Sequence, residues 1–172
     1  LQQLGMDRAA GEGPIQVQFF DGSTLRATRL TWENDNWILT GGPVTWTRLR
    51  ERLSGPKVIR RKEQVRFPEG LSGAMAAPEG DLSVHAMEGV GDGQRLSLEG
   101  RVVCQGQGWR LEANRLQLTL GPGRVVQRVT ATGAVLLRGR MGEGRGETLD
   151  LDLQGNRAQW TGRVRGLAEI GS

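Results

Sequence analysis

Between residues 124 and 138 the chain reads RVVQRVTATGAVLLR. Taken in steps of two, one face of this run carries Val125, Val129, Ala131, Gly133, Val135 and Leu137. The other carries Arg128, Thr130, Thr132 and Arg138. Successive side chains of a strand point to opposite faces, so this alternation specifies a strand with one buried side. The rule continues downstream. Leu149, Leu151 and Leu153 alternate with Asp150 and Asp152. After Gly155-Asn156, Ala158, Trp160, Gly162 and Val164 alternate with Arg157, Gln159, Thr161, Arg163 and Arg165. Three successive strands of this kind make a sheet whose apolar face needs a cover.

Upstream the same rhythm is broken more often. Residues 1–13 are polar and glycine-containing and are expected to be loose at the surface. Residues 14–172 read as a single domain. Strand signals begin at Pro14, with Ile15, Val17 and Phe19 on one face, and Asp21-Gly22 is a hairpin turn signal. Residues 23–33 slip phase near Thr28-Arg29, which predicts a bulge. Residues 37–46 form a strand interrupted by Gly41-Gly42-Pro43. Residues 47–53 (TRLRERL) suit a helix, but also suit a continued strand. Residues 58–67 are a charged strand with a weak inner face of Ile59, Val65 and Phe67, as expected at a sheet edge. Residues 68–80, rich in Gly, Ala and Pro, read as a long loop or a short irregular strand and as the sole candidate boundary.

From Asp81 the alternation is regular. Leu82, Val84 and Ala86 precede a turn at Gly91-Asp92-Gly93. Leu96, Leu98, Gly100, Val102 and Cys104 precede one at residues 106–108. Trp109, Leu111 and Ala113 pass through a phase slip at Asn114-Arg115 to Leu116, Leu118 and Leu120. The chain therefore predicts about ten or eleven strands and almost no helix, an all-β fold.

Composition narrows the function. Hydrophobic residues are 37% of the 172, modest for a thick core, and the 27 glycines follow no collagen period and fall between strands. The net charge of +4 is carried almost wholly by arginines scattered over polar faces, without interleaved aromatics. That pattern argues for a solvated face and against nucleic acid. Cys104, the single cysteine, is in phase with Leu96, Leu98 and Val102, which predicts a buried, inert thiol. No run reaches the roughly 18 apolar residues of a membrane span. The first residue, Leu1, is not a methionine, so a fragment or a processed form is expected. His85, the only histidine, falls out of phase with Val84 and Ala86, on the surface, and no catalytic triad can be built without it. Asp150 and Asp152 read as the polar side of a strand. The glycine clusters at residues 89–93 and 142–146 lack the strand–helix context of a phosphate cradle. No metal-ligand spacing occurs. The expectation is a non-enzyme with no cofactor and no metal.

A Gly-x-Val element recurs as Gly42-Pro43-Val44, Gly100-Arg101-Val102, Gly133-Ala134-Val135 and Gly162-Arg163-Val164, with spacings of 58, 33 and 29 residues. A second element pairs a small residue with a leucine, in residues 25–30 and 111–116, with a degraded copy at residues 146–149. A period of about 30 residues with two strands per unit means stacked hairpins, none able to bury its apolar face alone. Ala113-Asn114-Arg115-Leu116, followed by Ala131-Thr132-Gly133-Ala134-Val135 and Trp160-Thr161-Gly162-Arg163-Val164, resembles the repeat of the OstA-like family of periplasmic lipopolysaccharide-transport proteins (LptA, LptC and the periplasmic domain of LptD). The resemblance is closest over residues 93–168, looser over 23–46 and poor over 48–80. The irregular first half resembles LptC more than LptA.

This resemblance implies an open β-jellyroll, folded like a taco, of stacked antiparallel hairpins. It implies a non-enzymatic periplasmic carrier that shields the acyl chains of lipopolysaccharide in an apolar groove and stacks edge to edge with other transport proteins. An LptC-like role further implies an inner-membrane transporter complex as partner and an inner-membrane anchor ahead of this sequence. The groove lining would then be Leu96, Leu98, Val102, Leu111, Val129, Val135, Leu137, Leu149, Leu151, Trp160 and Val164. Arg138, Arg163 and Arg165 would meet lipid phosphates at the rim. The same inward residues also suit a closed core, and with it a ligand-free structural scaffold of the adhesin type. A β-solenoid carbohydrate enzyme would need clustered carboxylates in its groove, and none are present.

Overall fold

The structure, a computed structural model, describes residues 8–140 and 142–166. Fifteen strands form one antiparallel hydrogen-bonded sheet, and no α-helix occurs among the described residues. The strands are β1 (Arg8–Gln18), β2 (Thr24–Glu33), β3 (Asn36–Thr40), β4 (Val44–Arg48), β5 (Glu51–Gly55), β6 (Val58–Arg61), β7 (Gln64–Phe67), β8 (Leu71–Ala77), β9 (Gly80–Ala86), β10 (Glu88–Gly91), β11 (Arg95–Gly106), β12 (Trp109–Leu120), β13 (Val126–Gly139), β14 (Gly142–Asp152) and β15 (Arg157–Gly166).

Register turns this list into a simple up-and-down order of bent strands. Strand β2 pairs on one side with β1, and on the other with β3 through residues 29–33 and with β4 through residues 24–26. Likewise β11 pairs with β10 through residues 96–99 and with β9 through residues 103–105. Between β2 and β11 run two lanes, β3-β6-β7-β10 and β4-β5-β8-β9. Each of β3/β4, β5/β6, β7/β8 and β9/β10 is thus one strand path broken at a bend. The breaks fall at Gly41-Gly42-Pro43, Pro56-Lys57, residues 68–70 and Met87.

In the long strands the ladder continues through the bend as a bulge. Register shifts stand between Glu99 and Val102 in β11, Glu112 and Arg115 in β12, Thr132 and Val135 in β13, and Gly146 and Thr148 in β14. Gly133 and Ala134 have φ of 82° and 49°, and Gly100 and Arg101 have 82° and 46°. Two successive residues in the left-handed region turn a strand sharply. A Cβ on Gly133 would in addition stand 2.9 Å from Nδ2 of Asn114 on the neighbouring strand. The Gly-x-Val element of the sequence is therefore the bend itself.

Bending every strand along one line brings its two halves face to face. Sheet I holds β4, β5, β8, β9 and the halves of β11–β15 paired to them in series. Sheet II holds β3, β6, β7, β10 and the remaining halves. Across the interior β8 packs against β13. The inward phase forms one core cluster that runs unbroken from Leu25 to Leu151. The all-β, jellyroll-like fold is as expected.

Several local expectations are corrected. Strand β1 starts earlier than Pro14, at Arg8, and pairs with β2 from there; residues 1–7 lie outside the described residues. Residues 47–53 are neither helix nor continued strand. Leu49 adopts a φ of 54° and the chain reverses there between β4 and β5. Residues 58–67 are not an edge strand but the hairpin β6–β7, flanked by β3 and β10. Val65 and Phe67 face inward as expected, but in β6 the inner phase is Val58 and Arg60, with Ile59 half-buried. Residues 68–80 are mostly β8 rather than a long loop, and the core continues through them. Val126, not Val125, is buried, because the ladder with β12 shifts between Leu120–Val126 and Thr119–Arg128.

Candidate apolar cleft and its polar mouth

The predicted lining residues do converge on one interior. Leu96, Leu98, Val102, Leu111, Val129, Val135, Leu137, Leu149 and Leu151 are all buried within the core cluster. They are packed rather than solvent-lined, so along most of its length the cleft is a closed interior and not an open groove. The exceptions lie at the β15 end. Trp160 is half-buried opposite Leu149, and Val164, opposite Gly146, is 46% exposed. Gly146 leaves room for the Trp160 ring, since a Cβ there would stand 2.7 Å from it. Here the inward phase continues but no further strand among the described residues covers it. Strand β15 pairs only with β14, and β1 only with β2, so the described sheet ends in two unpaired edges.

The three predicted rim arginines do not form one cluster with a shared partner in the hydrogen bonds and ion pairs of the described residues. Arg138 lies on the outer face and its Nε donates to Glu143 at 3.1 Å, while Arg163 and Arg165 are exposed on β15. Cys104 is fully buried, and burial pushes its thiol up to about 12, as an inert core residue requires. His85 is exposed, as expected. It borders a cleft of about 690 Å³ on the outside of the bends, lined also by Pro43, Pro56, Gly70 and Met87.

The charged chemistry of the molecule sits elsewhere, at the mouth where the two sheets meet opposite the bends. Four polar side chains are buried there: Ser23, Glu51, Arg60 and Arg124. Arg60 of sheet II donates from Nη2 to Asp21 Oδ2 at 2.8 Å, from Nη1 to Ser23 Oγ at 3.2 Å, and from Nε to the Lys62 carbonyl at 2.5 Å. Asp21 belongs to the β1–β2 turn of sheet I and also accepts from the Ser23 backbone N–H at 2.8 Å. Arg124 of sheet II donates from Nε to Glu51 Oε2 at 2.6 Å, from Nη2 to Oε1 at 3.3 Å, and from Nη1 to the Gly93 carbonyl at 2.9 Å. Both guanidinium groups also lie over aromatic rings, Arg60 over Phe19 at 4.5 Å and Arg124 over Trp46 at 5.6 Å. Two ion pairs thus join the lips of the two sheets.

Local sequence explains this placement. Arg124 follows Gly121-Pro122-Gly123 and itself has a φ of 57°, an uncommon conformation for a long side chain that turns it inward. Arg60 occupies an apolar phase between Val58 and the β6–β7 turn. Burial would raise the Asp21 carboxyl, but the Ser23 and Arg60 hydrogen bonds outweigh it and hold it down at about 2. Burial dominates at Glu51 and raises it, against the pull of Arg124. A cavity of about 10 Å³, room for one water-sized group, lies among these residues; its polar lining is Asp21, Trp46, Glu51, Arg60 and Arg124 together with Arg48, Glu63 and Asp92. The buried Nε1 of Trp46 has no hydrogen-bond partner among the described residues.

The sequence pattern points to none of the mouth pairs; Asp21 enters it only as a turn residue. The signal that could have found them is a charged residue on an apolar phase, as at Arg60 in Val58-Ile59-Arg60. No family model matches the chain, and no curated protein matches it.

Proposed function

We propose that this protein is a non-enzymatic carrier that shields the acyl chains of an amphiphile, lipopolysaccharide in the first instance, between its two sheets, and that it works in the bacterial periplasm. The observation that carries the reading is a continuous apolar interior between two bent sheets, left uncovered at Trp160 and Val164 beside a strand edge that is unpaired among the described residues. An acyl chain gains about 0.8 kcal/mol for each methylene moved from water into such an interior. Unpaired edges at β1 and β15 supply N–H and C=O groups for another sheet, so related transport proteins would extend the interior by strand addition. An inner-membrane transporter complex would be the partner of an LptC-like member.

A second reading, a ligand-free scaffold, is favoured by the tight packing of residues such as Leu98 and Leu118, both fully buried. Tryptophan fluorescence of the chain titrated with lipopolysaccharide separates the two, with a short-chain detergent and Trp160→Phe as controls. The carrier reading expects a saturable change that loses its main component in Trp160→Phe. A flat titration with the fold intact selects the scaffold.

A further inference from the structure

The mouth has a property that a simple structural lock does not require. The two acids hydrogen-bonded to its buried arginines belong to sheet I and those arginines to sheet II, so any parting of the lips separates each of these carboxylates from its guanidinium. Opening would then strip Arg60 and Arg124 of their hydrogen-bonded carboxylates in a half-apolar site, with only Glu63 and Asp92 of sheet II left along the same lining, beside a tryptophan N–H that has no partner among the described residues. Such a state is costly unless another anion takes the place of the acids. We infer that the mouth is the head-group site of the carrier: a phosphate or carboxylate on the amphiphile exchanges for Asp21 and Glu51 on Arg60 and Arg124, and this exchange opens the cleft to the tail.

The chemistry matches. Arg124 already presents Nε and Nη2 as a fork to two oxygens of one group, the arrangement that a phosphate accepts equally well. Trp46 Nε1 adds a third donor to the same cavity lining. The turns that carry the acids can meet a lipid's apolar part. Phe20, beside Asp21, is fully exposed, and Leu49, two residues before Glu51, is 72% exposed with its φ of 54°. They are two of the four large apolar side chains left exposed among the described residues, and both flank the mouth.

The inference rests on the carrier reading, and calorimetric titration of the whole chain below micellar concentrations separates the two. The probes are a lysophosphatidic acid, the monoacylglycerol of the same chain, and inorganic phosphate. The phosphorylated lipid is expected to bind at least about tenfold tighter than the neutral one, with phosphate alone far weaker than either. Arg60→Gln with Arg124→Gln should remove the preference. Asp21→Asn with Glu51→Gln, which deletes the internal competitors, should tighten the anionic lipid further, an outcome that a purely structural lock does not produce. Equal affinity of the two lipids for the unmodified protein overturns the head-group site and leaves the carrier reading standing. Phosphate binding as tightly as the phosphorylated lipid also overturns it, in favour of a free-anion site. No binding by either lipid or by lipopolysaccharide overturns both.

Discussion

The two halves of this chain make the same bent strand in different ways. From β11 to β15 the ladder runs through each bend as a bulge, in β11 and β13 on a glycine and a following residue of positive φ, and the charges lie outside as solvated pairs. Arg115–Glu99 and Arg128–Asp150 are of this kind, with side chains 40–70% exposed. From β3 to β10 the ladder stops at each bend, mostly at Gly and Pro, and the strands are only four to seven residues long. With less apolar length per strand, this half carries buried charge: Glu51 and Arg60 lie within it, and Arg124 reaches it from the β12–β13 turn. The difference teaches that a V-shaped meander tolerates loss of backbone pairing at the bend if its open side is tied together. The ties are ionic, and they lie on the side opposite the bends.

The comparison breaks first at Arg124. Arg124→Ala leaves the Glu51 carboxylate buried and unpaired, and should destabilise the fold by about 3–5 kcal/mol in urea unfolding. Arg115→Ala, which removes an exposed partner, should cost less than about 1 kcal/mol. A double replacement, Glu51→Leu with Arg124→Leu, should recover most of the first loss if packing and not ion pairing is what the mouth needs for stability. In the continuous half the corresponding sensitivity is aliphatic. Leu118→Ala, at a fully buried site, should cost about 2–5 kcal/mol, whereas Val164→Ala at the uncovered end should stay within about 0.5 kcal/mol.

This contrast also explains which parts of the structure were legible in the sequence. Alternation of period two reports a strand long enough to show several repeats, so β11–β15, their inward residues and their turns follow directly from it. The Gly-x-Val recurrence marked the bends, although their nature as bulges needed the φ values at Gly133 and Ala134 to be seen. A strand of four residues such as Val58–Arg61 shows barely two repeats, and the inward arginine inverts its apparent phase. That is why the sequence pattern alone points Ile59 inward and the segment to an edge. The mouth was illegible for a related reason. Its pairs join residues far apart in sequence, Asp21 with Arg60 and Glu51 with Arg124, through the meeting of two sheets that no local pattern encodes. The inward residues, by contrast, could be listed but not declared open or closed, because a groove and a core demand the same alternation.

The bends give the next test, a smaller one. Gly133→Ala places a Cβ at a φ of 82° and against Asn114, and should cost about 1–2 kcal/mol. Gly93→Ala, where nothing lies within 4 Å and φ is ordinary, should change stability by less than about 0.5 kcal/mol. Equal losses at the two sites would mean that the bend is not set by its glycine.

The smallest effect expected is the acid dependence of the mouth, and its sign is informative because the two acids oppose each other. Asp21 titrates at about 2 in the folded chain against 3.8 for a free side chain, so its contribution is present above 3.8 and is lost as pH falls toward 2. Glu51 is shifted upward by burial, so protonation favours the fold, and its effect runs the other way: stability falls as pH rises from 4.5, its free-chain value, through the raised one. Unfolding midpoints between about pH 6 and pH 2 should therefore show a shallow gain before the acid loss, not a monotonic fall. Asp92, held low chiefly by the Gln94 N–H, adds to the loss at the acid end in both the parent and the Asp21→Asn chain. Asp21→Asn should flatten the lowest segment and leave the gain near Glu51 in place, while Glu51→Gln should do the reverse. A loss below pH 4 that persists undiminished in Asp21→Asn would show that the Arg60 tie does not hold the lips together, and the mouth would then rest on Glu51 and Arg124 alone.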